Sequence, residues 1–312
     1  MEKTRVAIID LGTNTFNLLI TEVEGSSYRI LTESKYPAKL GEGGIHKATI
    51  TAEAMKRGIE ALTAHLITIS EYQVESIFCF ATSAIRSATN GGDFIRRVKQ
   101  ELGLTIRVIP GDEEAQTIFD GIKQVVPLDN FYSLIMDIGG GSVEFIIANR
   151  NGIVWKDSYN IGTARILEQF KPSDPITDKE VSKIKEYIST KSKSLFEAVE
   201  KFPIYKVVGS SGSFDTLAAM IAKKEYPLLD ITKIINFKMS REYLSDLHEL
   251  LKKSDSHTRR AIPGMDPARV DNIVPASIMI QTVLAHVKPE EVWQCSFSLK
   301  EGAIQQIISS EF

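Results

Sequence analysis

At 312 residues the chain exceeds what one hydrophobic core ordinarily fills, so two domains of roughly 100 to 200 residues each are expected. Hydrophobic residues at 43% and charged residues at 25% are ordinary for a globular protein. No stretch is long and apolar enough to span a bilayer, and a net charge of −3 argues against a general nucleic-acid binder, so any anion site must be local. The N-terminal MEKTRVAIID runs into a strand-like segment without the regions of a signal peptide, which predicts a cytoplasmic protein. Cys79 and Cys295 form no CxxC spacing and read as buried thiols, and the five histidines form no HxxH or HExxH pattern.

Arg5 to Asp10 (RVAIID) is a short β-branched run, and Thr15 to Val23 (TFNLLITEV) is a second after Leu11-Gly12-Thr13-Asn14. Together they predict a hairpin with an acid at the bend. Met55, Ile59, Leu62, Leu66 and Ile69 step by three and four residues and mark one face of a helix. Glu75 to Ala81 is a strand candidate, followed by the Thr82-to-Arg86 loop and a helix through Asp93 to Leu102. A strand at Ile106 to Ile109 then turns at Pro110-Gly111-Asp112 into a helix from Glu113. Alternating strands and helices predict an α/β fold. At Ser133 to Asp137 the opening pattern recurs: strand, Asp, glycine loop, second strand at Val143 to Ala148. The two halves read as repeats. Thr177 to Glu180 has capping-box spacing ahead of one long helix to Lys201. The strand Tyr205 to Val208 feeds Gly209-Ser210-Ser211-Gly212-Ser213 and a helix through Leu217 to Ile221. Helices at Tyr243 to Leu251 and Pro275 to His286 and a strand at Val292 to Ser296 complete the pattern.

A loop that packs against phosphate must aim backbone N–H groups at it, and glycine permits the dihedrals and the close approach. Gly139-Gly140-Gly141-Ser142 suits this role, and Gly12-Thr13-Asn14-Thr15 is its counterpart with hydroxyl and amide donors added. Each follows a strand ending in Asp and leads into another strand. A simple hairpin has no use for three consecutive glycines. Neither loop fits the GxxxxGK[ST] or GxGxxG pattern. Phosphoryl transfer concentrates negative charge that Mg²⁺ offsets, and that ion takes one or two protein carboxylates. Asp10, Asp137 and Glu144 are the candidates, with turn capping the alternative for Asp10.

In combination, IDLGTNTFNLLI, FATSAIRSA, PGDEEAQTIFDG, MDIGGGSVEF, VGSSGSFDTLA and SLKEGAI resemble the exopolyphosphatase/guanosine pentaphosphate phosphatase family from Ile9 to Ile304. The resemblance implies two ribonuclease H-like domains of the actin/Hsp70/sugar kinase superfamily with an interdomain cleft. They would span residues 1–121, with the C-terminal helix 300–312 as a candidate addition, and residues 122–299. It implies an Mg²⁺-dependent phosphohydrolase acting on polyphosphate or a guanosine polyphosphate, and a homodimer; the net charge and the lack of a long apolar stretch predict neither a nucleic-acid nor a membrane partner. Glu114 would be the general base and Arg86 a phosphate-binding arginine, while Glu144 would hold Mg²⁺ or support the base. Helix N-terminus stabilisation is the alternative for Glu113 and Glu114, and a surface salt bridge for Arg86. Gly209 and Gly212 would sit against a nucleotide. Asn17, Gln116, Lys39 and Lys300 depart from the family's commoner basic residues or arginines, which implies a thinner anion surface. An ATP-dependent kinase of the same superfamily and a non-catalytic polyphosphate or guanosine-polyphosphate sensor are the competing readings.

Overall fold

The computed structural model describes residues 3–311; residues 1, 2 and 312, which the expected domain bounds include, lie outside the described residues. Two compact units appear. The first is Met1–Gly121 with Gly139–Gly141 and Ser298–Phe312, and the second is Ile122–Ile138 with Ser142–Phe297.

In the first unit, β1 (Thr4–Leu11), β2 (Phe16–Glu24) and β3 (Ser27–Tyr36) form an antiparallel meander. After α1 (Ala52–Glu71), β4 (Ser76–Ala81) returns parallel to β1. The helices α2 (Ser83–Ser87) and α3 (Gly91–Leu102) precede β5 (Ile106–Val108), and α4 (Gly111–Ile122) follows it. The sheet order is β3-β2-β1-β4-β5. Ala7, Ile8 and Ile9 are successive residues of β1 and all fully buried, so the strand is covered on both faces and reads as a continuous apolar run. Thr51 caps α1 by accepting the Ala54 N–H at 3.2 Å, and Ile59, Leu62 and Ile69 from the expected stripe are buried, with Met55 and Leu66 packed at its margin. His65, on the same face, is buried between Ser34 and the Phe16 carbonyl.

The second unit repeats the plan. A meander of β6 (Tyr132–Ile138), β7 (Val143–Asn149) and β8 (Gly152–Tyr159) is followed by α5 (Thr163–Phe170), α6 (Asp178–Lys191) and α7 (Lys193–Lys201). Next come β9 (Ile204–Ser210), α8 (Ser211–Glu225), β10 (Asn236–Met239), α9 (Arg241–Lys253), α10 (Ser256–Arg260), α11 (Ile273–Val287) and β11 (Glu291–Cys295). The order is β10-β11-β9-β6-β7-β8, with β9 parallel to β6 and β11 parallel to β9. Beyond the meander, parallel strands extend from the first strand in both units. The capping box at Thr177 and Glu180 forms, but the long helix it opens breaks at Ser192. This fully buried serine ends α6 and starts α7, a position that suits a residue whose short polar side chain weakens helix interiors.

The last helix, α12 (Leu299–Glu311), lies in the first unit against α4. A Cβ on Gly302 would come within 1.7 Å of the Thr117 carbonyl oxygen, and one on Gly121 within 2.1 Å of the Ser298 carbonyl oxygen. Only glycine at both positions lets these backbones approach so closely. Gln306 of α12 donates to Asp120 of α4 at 2.8 Å.

Candidate active site

Two of the expected phosphate-loop segments come together in the first unit. Gly12 closes the β1–β2 hairpin, its N–H donating to the Thr15 carbonyl at 3.1 Å, and a Cβ there would crowd that same oxygen. Thr13 is buried, and its carbonyl accepts the Gly41 N–H while that of Asn14 accepts the Lys39 N–H. Gly140 lies against the Asn14 side chain, with room for a Cβ only 2.7 Å from it. Gly141 lies against Thr13 and Ser83, at 2.4 and 2.6 Å from their hydroxyl oxygens. Gly140 and Gly141 are therefore required by the approach of one loop to the other. Among the described residues, the backbone N–H groups of Thr13, Thr15, Gly139 and Gly140 donate to no protein acceptor. Such groups are rarely left orphaned in native structures, and they are the donors that anion-binding loops use.

The TSAIR segment supplies two further groups. Ser83 opens α2 directly behind β4, and its hydroxyl is buried without a hydrogen-bond partner. Arg86, one turn later, donates from Nη1 both to the Ile109 carbonyl, at 2.9 Å, and to Oε2 of Glu114, at 2.7 Å. Its Nε and Nη2 donate to no protein acceptor among the described residues, so the guanidinium is anchored at one corner and presents the rest of its fork. Glu114 projects from the first turn of α4 and is buried, whereas its neighbour Glu113 pairs with the exposed Arg107. Two adjacent acids in one helical turn thus have different surroundings.

In the second unit, Asp137 is the next-to-last residue of β6 and the direct cross-strand partner of Glu144 on β7. Both carboxylates are buried. Oδ2 of Asp137 accepts from the Ser210 hydroxyl at 2.7 Å, and Oε1 of Glu144 from the Ser158 hydroxyl at 2.7 Å. In the first unit the matching pair is Asp10 and Asn17, and the Asn17 amide donates to Oδ2 of Asp10 at 2.8 Å. Among the described residues no three His, Cys, Asp or Glu side chains are gathered as a ligand set. Magnesium asks for less, since it completes its shell with waters and substrate oxygens, and the Asp137/Glu144 pair fits that demand.

The comparisons with known proteins agree with these motifs. The profile of the Ppx/GppA phosphatase family matches residues 19–311. The chain belongs to the Ppx/GppA phosphatase family. An exopolyphosphatase from Cytophaga hutchinsonii is 36% identical, superposes with a TM-score of 0.95, and is covered over 98% of each chain. A Ppx/GppA family member from Aquifex aeolicus is 25% identical with a TM-score of 0.79 and 99% coverage of each chain. Exopolyphosphatase 2 of Mycobacterium tuberculosis is 28% identical over 301 residues, 92% of each chain. The two mixed sheets accordingly carry the ribonuclease H-like fold of the actin-like ATPase superfamily.

Within this Ppx/GppA chain, the expected nucleotide glycines have packing reasons of their own. A Cβ on Gly209 would strike the fully buried Phe214 ring at 2.0 Å, and one on Gly212 would strike the Arg269 guanidinium at 2.3 Å. Arg269 is a residue that sequence reading missed. It is partly buried with Asp266, Asp215 and Asp137 around it, and burial pulls its guanidinium below the usual arginine range. Ser83 was missed in the same way, as one small hydroxyl residue between Thr82 and Ala84. Of the four departures, Asn17 donates to Asp10 and Gln116 donates to Asp120 at 3.4 Å. Lys39 is exposed and 3.8 Å from Glu42, and Lys300 lies between Glu301 and Glu33 at 3.1 and 3.6 Å. Those two carboxylates, with Asp10 beyond, outweigh the desolvation of Lys300 and hold its ammonium above the usual lysine range.

Proposed function

We propose that this chain is a phosphoanhydride hydrolase that removes terminal phosphate from inorganic polyphosphate. The observation that carries this reading is the Arg86–Glu114 pair beside a buried, unpartnered Ser83 hydroxyl and two loops with undonated backbone N–H groups. Glu114 is the base that orients the attacking water and takes its proton. A buried carboxylate can serve as well as histidine when it is within reach of the proton. Arg86, through Nε and Nη2, and the N–H groups of Thr13, Thr15, Gly139 and Gly140 receive the charge that develops on the transferred phosphoryl oxygens. This is catalysis by positioning and electrostatics. The Ser83 and Thr13 hydroxyls add donors at the same loop.

Asp137 and Glu144 are the carboxylates that would hold Mg²⁺, with Asp10 a third of the same kind in the first unit. Such an ion, when bound, neutralises phosphate oxygens and fixes the substrate's orientation. The reading extends to pppGpp, whose terminal phosphate is also a phosphoanhydride, to a homodimer on the strength of the family resemblance, and to a cytoplasmic protein.

Phosphate release from short polyphosphate, long polyphosphate, pppGpp and ATP, each with and without Mg²⁺, tests the assignment. Polyphosphate turnover that requires the metal is expected, and Glu114→Gln is expected to lower kcat by about 10²- to 10⁴-fold while substrate still binds. Unchanged turnover in that variant would remove Glu114 from the role of base. Tight binding of polyphosphate with no phosphate released would point to a sensor.

A further inference from the structure

Four residues stand side by side across four neighbouring strands of the second unit. Ser210 on β9 is in register with Asp137 on β6, Asp137 with Glu144 on β7, and Glu144 with Ser158 on β8. Directly opposed residues in a sheet project to the same face, so the row reads serine, carboxylate, carboxylate, serine on one side. The outer hydroxyls donate inward, Ser210 to Asp137 and Ser158 to Glu144, each at 2.7 Å. These are short charge-assisted bonds, and each serine has only one proton to give.

Ser210 shows that this proton is committed. It occupies the N-cap position of α8, where a serine side chain ordinarily bonds the helix's first N–H groups, yet it makes no such cap bond. Its hydroxyl is fully buried and turned to the carboxylate instead. Ser158 lies on β8, the edge strand of the sheet, where strand pairing alone places no demand for a hydroxyl.

We propose that Ser158 and Ser210 are positioning residues that clamp Glu144 and Asp137 from the two ends of the row. Two adjacent buried carboxylates repel each other, and a donor on the outer side of each keeps both ionised side chains fixed in rotamers that face a shared divalent cation. The inference rests on the reading of Asp137 and Glu144 as the metal-holding pair. Residues that orient metal ligands commonly change metal affinity or activity by about 10- to 100-fold when removed.

The test uses Mn²⁺ binding to the full chain, followed by the paramagnetic resonance signal of free Mn²⁺, beside unfolding midpoints and phosphate release. Ser158→Ala and Ser210→Ala are expected to weaken Mn²⁺ binding by about 10- to 100-fold, and Ser158→Thr to restore it because it keeps the hydroxyl. In a Glu144→Ala background, adding Ser158→Ala should change Mn²⁺ affinity by less than about twofold, since the serine acts through the missing carboxylate. Should an alanine variant not fold, Ser158→Cys, a similar volume with a weak donor, carries the same comparison. Unaltered Mn²⁺ affinity in the folded single variants, or an equal loss with and without Glu144, overturns the proposal. So does a wild-type protein that binds no Mn²⁺. A wild type that binds Mn²⁺ with this serine dependence but releases no phosphate refutes the hydrolase reading and leaves the clamp standing.

Discussion

Acid should loosen the second unit through one imidazole. His248 on α9 is 5% exposed, and its Nδ1 is 3.0 Å from the Ser277 hydroxyl on α11. That hydroxyl donates its proton to the Val274 carbonyl at 2.8 Å, so its oxygen accepts from the ring and the neutral imidazole carries its proton on Nδ1. Nε2 is left buried with no hydrogen-bond partner. A second proton there would be desolvated, and Lys252 and Lys185 oppose it more than Glu249 assists it, which pulls the histidine down from 6.5 to about 4. Between those values the unfolded chain binds a proton that the native chain refuses. Stability is therefore intact above about pH 6.5 and is lost as pH falls toward 4. The interval from 6.5 to about 4, at about 1.36 kcal/mol per pH unit, limits the loss to about 3.4 kcal/mol. At pH 5 the same linkage gives about 2 kcal/mol, or about 4 to 8 °C in the midpoint of a unit this size. Thermal and urea unfolding of wild type and His248→Phe at pH 7.5 and pH 5 isolates the effect, because the phenyl ring fills the site without titrating. The variant should lose about 2 kcal/mol less than wild type over that range. Equal losses in the two proteins would refute the account.

Gly141→Ala would place a methyl 2.4 Å from the Thr13 hydroxyl oxygen. It is expected to cost about 1 to 3 kcal/mol of stability and to depress kcat for polyphosphate more than the stability loss explains, as read by paired melting and phosphate-release assays. Arg86→Lys replaces a guanidinium that serves two acceptors from one nitrogen with a single ammonium that cannot also present a fork. A fall in kcat/KM of about 10- to 100-fold is expected, corresponding to one charged hydrogen bond, and unaltered kcat/KM would contradict the role given to Arg86. Gly302→Ala, whose methyl has no room against the Thr117 carbonyl, should destabilise the first unit by about 3 kcal/mol in urea unfolding. Gly92→Ala in α3, with nothing nearer than 3.5 Å, should be neutral or stabilise by up to about 1 kcal/mol.

Much of the scaffold was legible because apolar period and punctuation agree. The strands leading to Asp10 and Asp137 are unbroken apolar runs, and α1 carries its stripe at three- and four-residue steps. The strands that escaped notice are edges or near-edges. β3, SYRILTESKY, alternates exposed and half-buried residues without a clean apolar face, and the four residues of β10 are too few for a periodic signal. The break at Ser192 was invisible for a related reason, since a single serine in a polar-rich helix is unremarkable until its burial is known. In the site, the glycine loops and the paired acids stood out by residue type and spacing. Ser83 and Arg269 did not, because what marks them is three-dimensional: a buried hydroxyl without a partner, and a guanidinium taking the space of a missing Cβ on Gly212.

The two units show how one strand-hairpin scaffold can hold an acid in different chemical settings. Asp10 and Asp137 occupy matching places, each near the end of the first strand of a meander and each opposite one residue of the second strand. In the first unit that residue is Asn17, an amide that donates to the acid and adds no charge. In the second it is Glu144, which cannot donate when ionised and doubles the negative charge. The sheet answers with serines on both flanking strands. A divalent cation, which repays the cost of two adjacent buried carboxylates, is thus better matched to the second unit's pair than to the first. The cation whose charge reaches Asp10 in the first unit is a protein group, Lys300, held between Glu301 and Glu33. Exchanging Asn17 for Glu while leaving Asp10 in place would re-create the carboxylate pair without the serine that flanks the first acid, since the residue beside Asp10 on β4 is Phe80, while Lys35 rather than a serine stands opposite position 17 on β3. The second unit's acids are tolerated because the whole row, not the two carboxylates alone, is built for them.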